Sequence, residues 1–187
     1  MNQFARKTMM AGVLAFVASA AATGCTLDDL NPPPPQTASD KAASLERTRC
    51  GPDVGESQLR AVVTGNAVES VEPLYTSASD AKSGSESRLY GAAIRIRAAR
   101  GVTAQWLDRA LECHGARRML QHASADRLAN DPFWLPGRMV DIDARPARDA
   151  FDVSVRGEST DDAQEILIRA NAYLAANQRE TRAQLTR

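Results

Sequence analysis

Between residues 89 and 99 the chain alternates, with Ile94, Ile96 and Ala98 on one side and Arg95 and Arg97 on the other. A two-residue period of this kind predicts a strand with one buried face. Gly101 breaks the pattern and the period then lengthens. Trp106, Leu107, Ala110, Leu111, His114, Met119 and Leu120 fall at helical spacing behind Thr103, an N-cap residue with Val102 and Leu107 at the two staple positions, so residues 104–122 are expected to form an amphipathic helix. Strict alternation returns in residues 139–144 and 151–155, which read as a hairpin. After Ser159, with Asp161 and Asp162 at the positive end of a helix dipole, Ala163, Ile166, Leu167, Ala170, Tyr173 and Leu174 form an i, i+3, i+4 stripe. Asn177 and a charged tail are expected to end that helix.

Upstream, residues 58–63 and 67–75 are rich in β-prone side chains and flank Gly65-Asn66, a hairpin signal; Pro73 assigns the second strand to a sheet edge. Residues 77–87 are small, polar and glycine-containing, as a surface loop is. The order of elements predicts an α+β fold: an antiparallel sheet of about four to five strands with two helices packed on one face, a two-layer sandwich. No internal repeat is evident.

The first 25 residues follow other rules. Arg6 and Lys7 precede an uncharged apolar run, residues 8–22, that ends in small side chains. At about fifteen residues the run is shorter than the roughly 20 that span a bilayer, and no basic stop-transfer cluster follows it. This is the grammar of a secretory signal. It leads into Ala22-Thr23-Gly24-Cys25, which resembles the lipobox of bacterial lipoproteins, with alanine at 22 where leucine is usual in that family. The resemblance covers residues 1–25 only. It implies removal of residues 1–24, a diacylglyceryl group on the Cys25 sulfur, frequent acylation of the new amine, and membrane anchoring through lipid. A plain signal peptide cut at an Ala-x-Ala-like site, with Cys25 uninvolved, is the alternative.

Residues 25–48 contain Pro32 to Pro35 and few large apolar side chains, and are read as a disordered, extended tether. A proline-rich ligand for a partner domain is the other reading. Residues 49–178 are expected to form a single domain and 179–187 a charged tail. By resemblance to enterobacterial sorting, Thr26, not being aspartate, favours the periplasmic side of the outer membrane over the inner membrane.

Loss of residues 1–24 removes two of 23 basic residues and none of 23 acidic ones, leaving a formal charge of minus two. With no basic surplus and only 5% aromatic residues, nucleic acid is excluded as an expected partner. The membrane, through lipid, and another envelope protein are the expected partners. No cofactor is expected beyond the lipid on Cys25.

With Cys25 assigned to lipid, Cys50 and Cys113 are left as a pair in an oxidising compartment, and a disulfide closing a loop of about 60 residues is the expected outcome. The alternative is chemical: free thiols beside His114 would suit copper(I) or zinc, with Cys113, His114 and His122 as candidate ligands and Cys50 as a further one. His114 and His122 are eight apart, about 80 degrees round a helix of 3.6 residues per turn, which places them poorly for sharing an ion.

The chain has no Gly-x-Ser-x-Gly, His-Glu-x-x-His, P-loop or Gly-x-Gly-x-x-Gly motif. Asp141 and Asp143 share one strand face and Asp161-Asp162 open a helix, both readable as solvated positions. In residues 130–137, Phe133, Trp134 and Leu135 lie between Pro132 and Pro136. They either plug the space between helix and sheet or form an exposed partner-binding anchor. The expected function is a lipid-anchored, non-catalytic envelope module for interaction or assembly. A periplasmic copper- or zinc-binding lipoprotein and an enzyme of unrecognised type are the alternatives.

Overall fold

A computed structural model describes residues 36–64, 67–76, 87–121 and 130–186. The chain divides into Met1–Pro35 and Gln36–Arg187, and every described residue lies in the second part. The signal segment, Cys25, the four prolines, the Gly65-Asn66 turn, residues 77–86 and His122 lie outside the described residues.

Residues 38–48, expected to belong to a disordered tether, are helical. Helix α1 (Ala38–Arg49) opens with a capping box in which Thr37 Oγ1 accepts from the Asp40 amide and the Asp40 carboxylate accepts from the Thr37 amide. Two orphan amides are thereby satisfied, and Arg47 and Arg49 complement the dipole in the last turn. Residues 58–63 differ too. They lie in helix α2 (Glu56–Val63), where Leu59, Val62 and Val63 are buried at i, i+3, i+4 spacing, not at a spacing of two. β-branched residues favour a strand, and burial against a neighbouring helix overrides that propensity.

The described residues hold four strands, β1 (Val68–Tyr75), where the β-prone residues 67–75 were expected, and β2 (Leu89–Arg97), β3 (Asp141–Pro146) and β4 (Ala150–Arg156), where alternation predicts them. They form one open antiparallel sheet in the order β1-β2-β4-β3, so Pro73 does stand on an edge strand. Ile94 faces Val71 on one side and Val153 on the other, and Ile96 faces Val68 and Phe151. These residues all point to the buried face. Gly91 marks a close approach of β2 to β4: a Cβ there would collide with the Val155 carbonyl oxygen.

Helix α3 (Ala104–Leu120) begins at Thr103, whose hydroxyl accepts from the Trp106 amide at 3.2 Å. Helix α4 (Thr160–Leu185) begins with a second capping box, Ser159 with Asp162. It does not stop at Asn177, which is buried, but continues through most of the expected tail. Among the described residues the fold is thus α+β with a four-stranded antiparallel sheet and four helices, two more than expected. α3 rests on β3, α4 on β2 and β1, while α1 and α2 pack against α3. Ile94, Ile96, Leu107, Leu111, Val153, Val155 and Ile166 fill the space between sheet and helices. No helix among the described residues is long and apolar enough to cross a membrane.

The opposite face of the sheet is polar. Arg95 reaches Asp152 at 3.0 Å, Asp149 at 3.4 Å and Glu69 at 3.4 Å, and Arg97 also reaches Glu69. Asp141 and Asp143, which share a face of β3, each have their own partner, Arg156 and Arg145.

Candidate functional site

The expected chemistry centred on Cys113 and His114, and both side chains are committed to structure. Cys50, the C-cap of α1, is disulfide-bonded to Cys113 in α3, 63 residues away. Cys113 is fully buried, and a sulfur held in a disulfide offers no thiolate to a metal. With Cys113 held in the disulfide, the copper or zinc set of Cys113, His114 and His122 has no free thiolate here, and His122 lies outside the described residues. No group of three or more metal-ligating side chains is gathered among the described residues.

His114 is clamped between two carboxylates that the sequence reading did not connect to it. Its Nδ1 donates to Glu56 Oε1 at 2.8 Å and its Nε2 to Asp131 Oδ2 at 2.6 Å, with only 11% of the side chain exposed. Glu56 comes from the first turn of α2, and Asp131 from the loop after α3. Burial alone would lower the His114 pKa, but the hydrogen bonds and charges of Asp131 and Glu56 outweigh it and raise the value to about 9. The reciprocal hydrogen bond from His114 holds the Glu56 carboxyl below its ordinary range despite its burial, with help from Arg118 and Arg60. His114 is thus an imidazolium at neutral pH with both ring protons in use. A general base needs a free nitrogen facing substrate, and the hollow beside His114, lined by Val54, Leu59 and Arg117, has no room for even a water molecule.

The same clamp organises the aromatic loop. Asp131 Oδ1 accepts from the Phe133 amide at 2.9 Å, closing an Asx turn. Pro136 precedes Gly137, whose φ of 71° is one that other residues resist. Phe133, Trp134 and Leu135 are each 3% exposed, so the loop fills the space between α3, α4 and the sheet and presents no aromatic anchor to a partner. Phe133 packs edge-on against Tyr173 at 6.0 Å. Arg169, itself buried, donates to the Trp134 carbonyl at 3.2 Å and lies 5.9 Å from the centre of its ring, while its Nε bonds Glu165 at 2.7 Å. A loop aromatic placed this way serves the core.

Two hollows flank the loop. An open groove of about 340 Å³ lies between Pro136 and the first turns of α4, where Arg138 pairs with Asp162 and Glu165 with Arg169. A smaller hollow of about 50 Å³ lies beside Glu112, Trp134 and Met139. Glu112 is raised above the usual carboxyl range by burial and by the charges of Asp108 and Asp141, opposed by Arg49, its partner at 2.5 Å. No family model, curated protein or solved structure matches this chain.

The missed partners had faint signals in the sequence. Asp131-Pro132 is a turn dipeptide that frees a carboxylate to look back at a helix, and Glu56 sits where an acid favours a helix start, had residues 56–63 been read as a helix.

Proposed function

We propose that this chain is a lipid-anchored cell-envelope protein of bacteria whose domain is a non-catalytic module for interaction or assembly. The carrying observation is Ala22-Thr23-Gly24-Cys25 at the end of a charged, then apolar, then small-residue leader. A diacylglyceryl group on Cys25, joined by an amide-linked chain, supplies the two or three acyl chains that stable anchoring needs. The Cys50–Cys113 disulfide supports export, because such bonds persist in oxidising compartments. A site whose histidine has both nitrogens bonded to carboxylates supports a non-catalytic reading. Thr26 favours the outer membrane, on its periplasmic side, and another envelope protein is the expected partner.

Intact-mass analysis of the natively purified protein tests this directly. The expected mass lacks residues 1–24, carries acyl groups on Cys25 and is two hydrogens lighter for one disulfide. Substituting Cys25→Ser should move the protein from the membrane fraction to the soluble one. An unacylated native mass, or a C25S protein that still sediments with membranes, overturns the reading.

A further inference from the structure

Helix α1 is fastened to the domain in a lopsided way. Its sequence supplies one fully buried side chain, Ala42, which meets Ala116 and Met119 with Leu45 and Met139 at the margin. Its ion pairs are partly or largely open to solvent: Lys41 with Glu158 at 3.7 Å, Glu46 with Arg117 at 3.2 Å, and Arg49 with Glu112 at 2.5 Å. Of these, Lys41 with Glu158 is exposed and holds weakly, whereas the other two pairs are partly buried, and a helix of 12 residues does not sustain itself once undocked. At the other extreme, Cys50, immediately after its last turn, is joined covalently to Cys113 in the middle of α3. α1 is therefore held least at its N-terminal end, where Lys41 with Glu158 is its ion pair, and covalently at its C-terminal end.

It is also the first described element of the domain, directly following the proline-rich segment. We propose that α1 is an extensible strap and that Cys50–Cys113 is the stop that ends its extension. A pull on the N-terminal segment peels α1 from its Thr37 end, losing the capping box and then the Ala42 contact. On reaching Cys50 the pull passes into α3, whose Leu107, Leu111 and Cys113 are among the most buried residues of the core. α2 and the edge strand β1, which follow Cys50 in the chain, are bypassed. The helical span of these 12 residues is about 18 Å at roughly 1.5 Å per residue; extended, they reach about 40 Å at roughly 3.4 Å per residue. The domain thereby gains about 20 Å of reach without unfolding.

The biological use of such a strap rests on the lipid-anchor reading, but its mechanics do not, so the two fail separately. Hydrogen exchange followed by mass spectrometry on the mature chain should show amides of residues 41–49 exchanging at least tenfold faster than those of residues 107–116 in the oxidised protein. In Cys50→Ala, or after reduction, exchange in residues 41–49 should rise tenfold further, with residues 92–96 and 151–155 unchanged. In a pulling experiment between a handle on Cys25 and one at the C terminus, a step of about 20 Å should precede domain unfolding. Protection of α1 equal to that of α3, or loss of α1 only together with the sheet, overturns the strap. An extension that begins with global unfolding overturns it as well. A C25S protein that stayed with the membranes would overturn the anchor reading and leave these outcomes untouched.

Discussion

His114 is the residue where burial and charge are most sharply opposed. Its folded pKa is raised to about 9 from 6.5, so protonation favours the folded state. The stability it contributes is fully present below about pH 6.5 and is lost as pH rises through about 9; Glu56, depressed by the same bond, contributes above its ordinary 4.5 and loses its share as pH falls. The clamp is therefore strongest between those limits. Urea midpoints measured from pH 6 to pH 10 should fall by the equivalent of about 3 kcal/mol at most, and His114→Gln should flatten that fall while lowering the pH 6 midpoint. A wild-type midpoint unchanged across the range would mean that the imidazolium does not hold the fold. Trp134 invites a different substitution. Because it is 3% exposed and covered by Arg169, Trp134→Ala should cost about 3 to 5 kcal/mol in unfolding free energy. A loss under 1 kcal/mol would place the side chain at the surface, as the partner-anchor reading had it.

At the scale of elements, legibility followed the length of the periodic pattern. β2, α3, β4 and the first half of α4 each carry enough apolar positions for their period to show, and each lies where its pattern predicts. α2 spans 8 residues, too few to separate a helical from an alternating pattern, and its adjacent valines tilted the reading toward a strand. α1 and the end of α4 are largely polar, so hydrophobicity could not reveal them; Thr37 with Asp40 was the available signal for α1, with aspartate where a capping box more often has glutamate. The disulfide was legible from arithmetic alone, whereas the clamp on His114 was not, because its carboxylates lie 58 and 17 residues away with no shared period. Reduction tests what the disulfide contributes. Closing a loop of 63 residues, it should be worth about 2 to 4 kcal/mol, read as a lower denaturant midpoint after treatment with a dithiol. Equal midpoints before and after would mean that the unfolded chain is not restrained by it.

Across the whole domain the strands and longer helices form two successive ββα units, β1-β2-α3 and β3-β4-α4, joined where β2 pairs with β4. Sequence self-similarity did not reveal this, and the packing shows why the units depend on each other. α3 rests on β3, a strand of the second unit, and α4 rests chiefly on β2 and β1, strands of the first. Each hairpin is thus covered by the helix that follows the other hairpin. A hairpin with one bare apolar face is marginal in water, so neither unit can bury Ile94 and Ile96, or Val153 and Val155, without its counterpart. Unfolding should accordingly be a single transition, coincident by far-ultraviolet circular dichroism and by tryptophan fluorescence, with Trp106 reporting on the first unit and Trp134 on the segment between the two. Fragments 36–137 and 138–187, prepared separately, should each lack a cooperative thermal transition, and mixing them should restore one. If fragment 36–137 alone melted cooperatively, the first unit would be holding its sheet face without α4, and the crossed coverage would be an accident of topology, not the source of the fold's cooperativity.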